Sequence, residues 1–133
     1  MLHPDLNATQ LGTVGEQLVR YKLLRWGYEA VMLEQGNDYD LLVVDPIIRI
    51  QVKSTCGIDK WRETPTYKFN TRKGFCQSGR YEEGSIDCFA FVALDIETVV
   101  FSEPVTTAGK RYHIDKFNKD SEYQTWLDIV ENL

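Results

Sequence analysis

Glu16, Asp40, Gln51 and Lys53 are the residues of this 133-residue chain whose types and spacing suit hydrolysis of a phosphodiester. That reaction asks for a divalent cation held by hard oxygen ligands, a water poised for in-line attack, and a positive group to steady charge building on the phosphate. Two carboxylates and a lysine can supply these. Taken singly, each has a plainer reading: Glu16 as an exposed helix residue, Asp40 as a turn residue after Asn37-Asp38, Lys53 as a charge at a strand end. A bare D-x(10)-Q-x-K spacing is a weak signal. The elements that carry these residues raise the group above chance.

From about Asn7 to Trp26 the apolar residues Leu11, Val14, Leu18, Val19, Tyr21, Leu23 and Trp26 share one broad side of a helical wheel, and Gly27 supplies a stop. Gly12 and Gly15 lie on that side, where missing side chains let a helix approach a sheet closely, at ~1 kcal/mol each in helix propensity. Glu16 sits at the rim of the stripe. Three segments of strand character follow: Tyr28 to Leu33, Asp40 to Val44 after the turn-rich Gln35-Gly36-Asn37-Asp38, and Ile47 to Lys53 after Asp45-Pro46. A meander is their simplest arrangement, with Asp40 opening one strand and Gln51-Val52-Lys53 closing the next, so that these ends lie together. In the third strand Ile48, Ile50 and Val52 alternate with Arg49, Gln51 and Lys53, which puts Gln51 and Lys53 on one face.

Thr66 to Asn70 reads as another strand, and Thr71 to Gly84 as an exposed loop. Cys88 to Leu94 is a continuous apolar run, typical of a strand buried on both faces, and Thr98 to Phe101 reads as its neighbour; the two are expected to complete the sheet. From about Ser121, a possible N-cap, to Asn132, the residues Tyr123, Trp126, Leu127 and Val130 have helical spacing. The chain is therefore expected to be one α/β domain over 1–133, with a mixed central sheet, the first helix on one face and the last on the other or at an edge. Cys56, Cys76 and Cys88 form no metal or redox spacing and read as free thiols. No apolar run approaches the ~20 residues of a membrane span, which predicts a soluble, cytoplasmic protein.

The net charge is −5, yet Lys53 to Arg80 holds seven basic residues against two acidic ones, so this stretch carries +5 and the remainder −10. An acidic body with one basic segment suits a protein that meets DNA through a single face; a solvated loop is the plainer alternative. Tyr67, Phe69, Phe75 and Tyr81, interleaved with the cations, more often pack a core than stack on bases. His3 and His113 have no partner pattern and read as surface or core residues.

At its helical Glu16, strand-leading Asp40 and Gln51-Val52-Lys53, the sequence resembles the PD-(D/E)-x-K nuclease superfamily. More narrowly, Gly15-Glu16, Asn37-Asp38-Tyr39-Asp40-Leu41-Leu42-Val43 and Ile50-Gln51-Val52-Lys53-Ser54 look like its intron-encoded homing endonucleases, some of which carry Gln at the acidic position. The resemblance continues through Thr66-Tyr67-Lys68-Phe69, Arg80-Tyr81 and Ile86-Asp87-Cys88-Phe89-Ala90-Phe91-Val92, covering roughly residues 11 to 102. It implies a restriction-endonuclease-like sheet flanked by helices, and a site-specific endonuclease of homing or restriction type that cuts double-stranded DNA with Mg²⁺, or Mn²⁺ in its place. Asp40 would be the central metal ligand, the Gln51 side-chain oxygen and Val52 carbonyl would complete its shell, and Glu16 would orient a second metal or a water. Lys53 would activate water or steady the phosphate. Ser54, Lys60, Arg62, Lys68, Arg72, Lys73 and Arg80 are candidate DNA contacts, and a double-strand break implies a homodimer or larger symmetric assembly. Two departures stand out: neutral Gln51 is a weaker magnesium ligand than a carboxylate, and Tyr39 precedes Asp40 in place of proline. A Holliday junction resolvase and a non-catalytic DNA-binding module are the competing expectations.

Overall fold

A computed structural model describes residues 1–34, 38–60, 63–72 and 84–133. Helix α1 (Ala8–Arg25) starts where its cap allows: the Asn7 side chain accepts the Gln10 N–H and the Gln10 side chain returns a bond to the Asn7 N–H. It stops at Gly27, whose φ of 89° is open to glycine at little cost. There the Tyr28 N–H reaches the Leu23 carbonyl at 2.9 Å and the Gly27 N–H the Leu24 carbonyl at 3.1 Å, a Schellman end.

Five strands form the central sheet in the order β1 (Ala30–Met32), β2 (Leu41–Val43), β3 (Ile48–Thr55), β5 (Cys88–Ala93), β6 (Thr98–Ser102). The expected meander of the first three is present, β1 with β2 and β2 with β3 antiparallel. β3 then pairs parallel with β5, and β5 antiparallel with β6, so the sheet is mixed as expected. β5 is buried at every residue, as its apolar run predicts. β4 (Thr66–Asn70) forms as expected but joins a separate two-stranded sheet with β7 (Gly109–His113), a strand that polar Gly109-Lys110-Arg111 did not announce.

The side chains of the central sheet sort into two cores. Ile48, Ile50, Val52, Ala90, Val92, Val99 and Phe101 pack beneath Val19 and Leu23 of α1 and Trp126 and Ile129 of α2 (Lys119–Glu131). On the opposite face Phe89, Phe91 and Val100 meet Tyr67 and Phe69 of β4 and Phe117. Both helices therefore lie on one face, the last of them at the β6 edge, which is one of its two expected placements; the aromatic ribbon β4–β7 covers the other face. Tyr67 and Phe69 are core residues, whereas Phe75 and Tyr81 lie outside the described residues. α2 also begins earlier than expected, with Asn118 and not Ser121 as its N-cap: the Asn118 side chain accepts the Asp120 and Ser121 N–H groups.

α2 seals the outer edge of β6. Glu122 accepts the Val99 N–H at 2.7 Å and Thr125 the Phe101 N–H at 3.1 Å. The other oxygen of Glu122 pairs with Lys22 of α1 at 2.8 Å, and both side chains are largely withdrawn from water. At the far edge the outward carbonyl of Ala30 in β1 accepts Arg20 Nε at 2.9 Å. Among the described residues no helix is long and apolar enough to cross a membrane. Cys56 and Cys88 are free thiols; Cys76 lies outside the described residues.

Candidate active site

The candidate site is a notch at the start of β2. β3 is longer than β2, and beyond the pair Leu41–Ile50 it runs on to Thr55 without β2 beside it. Asp40 occupies the corner: its N–H donates to the Ile50 carbonyl at 2.8 Å, and its carboxylate accepts the Val52 N–H at 3.0 Å. The Val52 carbonyl, on the same side of β3 as its N–H, accepts Gln51 Nε2 at 3.5 Å, at the limit of hydrogen-bond length.

Glu16 approaches from α1. The helix comes close because position 15 has no side chain: a Cβ on Gly15 would lie 1.9 Å from Ser54 Oγ and 3.2 Å from Ser54 Cβ. Gly12, expected to serve the same seam, has open space at its Cα and lines the cleft beside Glu16. The buried stripe of α1 is accordingly narrow, made of Gly15, Val19 and Leu23, while Val14 and Tyr21 are exposed. That cleft of about 440 Å³ is lined by Glu16, Asp40, Glu34, Thr9 and Thr13 among others. Thr9, Thr13 and Glu16 recur at helical spacing as a polar ridge, a pattern that the sequence itself carries. Burial, reinforced by the charge of Asp40, pushes the Glu16 carboxyl up to about 7. Burial also raises Asp40, against the pull of the Val52 N–H and of Lys53.

Gln51 and Lys53 share the face of β3 that looks toward the aromatic ribbon, in register with Phe89 and Phe91. Gln51 is buried and Lys53 half-buried. Burial lowers the Lys53 ammonium from its ordinary range while Asp40 holds it up, and its Nζ donates to the Arg72 carbonyl at 2.8 Å. The chain end of β4 is thus tied to the notch. Ser54, expected at a phosphate, falls on the opposite face of β3 and turns its hydroxyl inward against Gly15, buried and without a hydrogen-bond partner among the described residues.

Lys60, Lys68 and Arg72 are exposed; Arg62, Lys73 and Arg80 lie outside the described residues. His3 and His113 are exposed, and each accepts a backbone N–H two residues on through Nδ1. The arrangement therefore brings Glu16, Asp40, Gln51, Val52 and Lys53 together from α1 and the β2–β3 notch: two carboxylates whose proton affinity burial raises, a main-chain carbonyl, an amide and an amine. Among the described residues no three His, Cys, Asp or Glu side chains cluster as a ready-made metal cage.

No family model and no curated protein matches this sequence. Among solved structures, the chain is similar to a bacterial homing endonuclease, I-Ssp6803I, with a TM-score of 0.73 and 16% identity over 96% of this chain and 95% of that one. At that identity the likeness is one of fold: this mixed sheet flanked by helices is an architecture that a homing endonuclease uses from end to end.

Proposed function

We propose that this chain is a metal-dependent endonuclease that hydrolyses DNA site-specifically, in the manner of homing or restriction enzymes. The observation that carries the reading is the Asp40 carboxylate, fixed by the Val52 N–H at 3.0 Å beside Glu16 and on the strand that carries Lys53. The fold shared with a homing endonuclease supports it.

The donor set fits a hard divalent cation such as Mg²⁺, or Mn²⁺ in its place: carboxylate oxygens of Asp40 and Glu16, the Val52 carbonyl and the Gln51 amide oxygen. When bound, the ion would polarise the phosphate and make a bound water more acidic. Asp40 is the anchor, because it lines the cleft beside Glu16 and its hydrogen bond to the Val52 N–H leaves carboxylate lone pairs for a cation. Glu16, with a pKa of about 7, would take or release a proton at neutral pH, the property wanted in a group that orients water. Gln51 points its NH₂ at the Val52 carbonyl, so it would present Oε1 only after its amide turns half a revolution. Lys53, whose ammonium burial disfavours and Asp40 supports, would steady the scissile phosphate. Hydrolysis on this plan leaves a 5′ phosphate, and one notch serves one strand, so a double-strand break calls for two copies.

One observation favours a second reading. The neutral amide at Gln51, turned to Val52 by its donor end, suits a DNA-binding module that has lost catalysis. Cleavage of supercoiled plasmid and genomic DNA with Mg²⁺ or Mn²⁺ separates the two. Discrete products from the wild type, lost in Asp40→Ala and Lys53→Ala, support the nuclease. Binding without cutting by all three proteins, on duplex and four-way junction substrates alike, supports the module, and cutting confined to junctions would make the chain a resolvase.

A further inference from the structure

The outer face of the β4–β7 ribbon has no structural partner among the described residues. Strand alternation sends Tyr67 and Phe69 into the core, at 2% and 1% exposure, so Thr66, Lys68 and Asn70 face away from it. The register sets them opposite His113, Arg111 and Gly109. Lys68 and Arg111 are thus like charges directly across a strand pair, an arrangement that weakens a sheet in isolation. Arg111 is compensated by its ion pair with Asp59, whereas exposed Lys68 makes no ion pair among the described residues. Asn70 accepts the Arg72 N–H at 2.9 Å with its oxygen, which leaves its NH₂ as a donor, and the facing Gly109 has no side chain to cover it.

We propose that this face lies in the major groove of duplex DNA, with Lys68 and Asn70 reading base edges and Lys60 and Arg72 on flanking phosphates. The inference rests on the nuclease reading and names the element that would select its target. Strands about 4.8 Å apart make a ribbon that fits a groove about 12 Å wide. Its donors face the acceptor-rich edge of guanine. The rest of an acidic chain repels DNA, which concentrates attraction on the stretch from Lys53 to Arg72. The ribbon is also continuous with the notch: the Arg72 carbonyl holds Lys53 Nζ at 2.8 Å, so bases read by β4 would lie beside the phosphate to be cut.

The test is cleavage of a randomised plasmid library with Mg²⁺ and sequencing of the cut sites, together with duplex binding in Ca²⁺ at several salt concentrations. Wild type is compared with Lys68→Ala, Asn70→Ala and Arg72→Ala, and with Arg25→Ala at the end of α1 as control, each checked for an unchanged melting temperature. Lys68→Ala and Asn70→Ala are expected to cut still but to lose roughly tenfold discrimination at one or two neighbouring base pairs. Arg72→Ala is expected to lower the salt slope of binding by about one without changing preference, and Arg25→Ala to change neither. If wild type cuts selectively and Lys68→Ala and Asn70→Ala keep its preference, the ribbon is not in the groove, and the nuclease reading survives alone. Cutting without any sequence preference in the wild type also overturns base reading by the ribbon. A wild type that neither cuts nor binds duplex removes both.

Discussion

The carboxylate of Asp40 takes the Val52 N–H at 3.0 Å, so a side chain continues the β2–β3 ladder one step before the first residue of β2. Position and chemistry are joined in that bond. The carboxylate proposed to anchor the cation is held in turn by the backbone of the strand that carries Lys53.

Asp40→Asn keeps an acceptor for the Val52 N–H and loses only charge, whereas Asp40→Ala leaves that N–H unpaired. We expect Asp40→Ala to be less stable than Asp40→Asn by about 1–3 kcal/mol in urea unfolding. Both are expected to lose at least on the order of 100-fold in plasmid cleavage. Equal stability of the two would show that the bond does not order the notch.

Glu16 makes the stability of the cation-free protein depend on pH. Its folded pKa of about 7 lies above the ordinary 4.5, so the folded chain binds more protons between those values. The contribution of Glu16 to stability is therefore fully present below about 4.5 and is lost as pH rises through 7. Glu16→Gln removes this dependence and should gain on wild type by a few degrees in melting temperature between pH 5 and pH 8, in chelator. A difference that stays flat across this range would contradict the shift.

Gly15→Ala drives a methyl into Ser54 and should cost about 1–3 kcal/mol. Ser54→Ala removes a buried, unbonded hydroxyl and is expected to be neutral or slightly stabilising. In a double-mutant cycle followed by thermal unfolding, the pair should recover part of the loss, because the closest contact of the new methyl is with Oγ. Strict additivity would mean that α1 does not seat on β3 at this point.

Glu122→Ala strands the Lys22 ammonium and uncaps the Val99 N–H at once, and should cost about 3–5 kcal/mol. Glu122→Gln retains an acceptor for Val99 and should fall between the two in denaturant titration.

Much of this is legible in the sequence. Period-two alternation placed Gln51 and Lys53 on one face of β3, and the unbroken apolar run of β5 announced a strand covered on both sides. What escaped was decided by partners far along the chain. Nothing local in Lys110 or Arg111 says strand; β7 exists because Tyr112 packs on Phe69 and Phe91 while its backbone pairs with β4. Gly12 and Gly15 look alike on a helical wheel, and only the position of Ser54 separates them. Ser54 itself belongs to the inner face by the same alternation that identified Lys53. The side of the sheet that α2 takes follows from Glu122 and Thr125 meeting the edge of β6, which no periodicity encodes.

Both margins of the central sheet end on helix side chains: Arg20 on the Ala30 carbonyl, Glu122 and Thr125 on the Val99 and Phe101 amides. Side chains occupy part of each margin, which blunts both as templates for another copy's strand and disfavours fibrous stacking. Two copies that associate would meet through helices, loops or the ribbon. The span between their notches would then be set by side-chain contacts that drift in small steps under mutation, and the offset between the two cuts could evolve gradually where a shared strand register would permit only jumps of two residues.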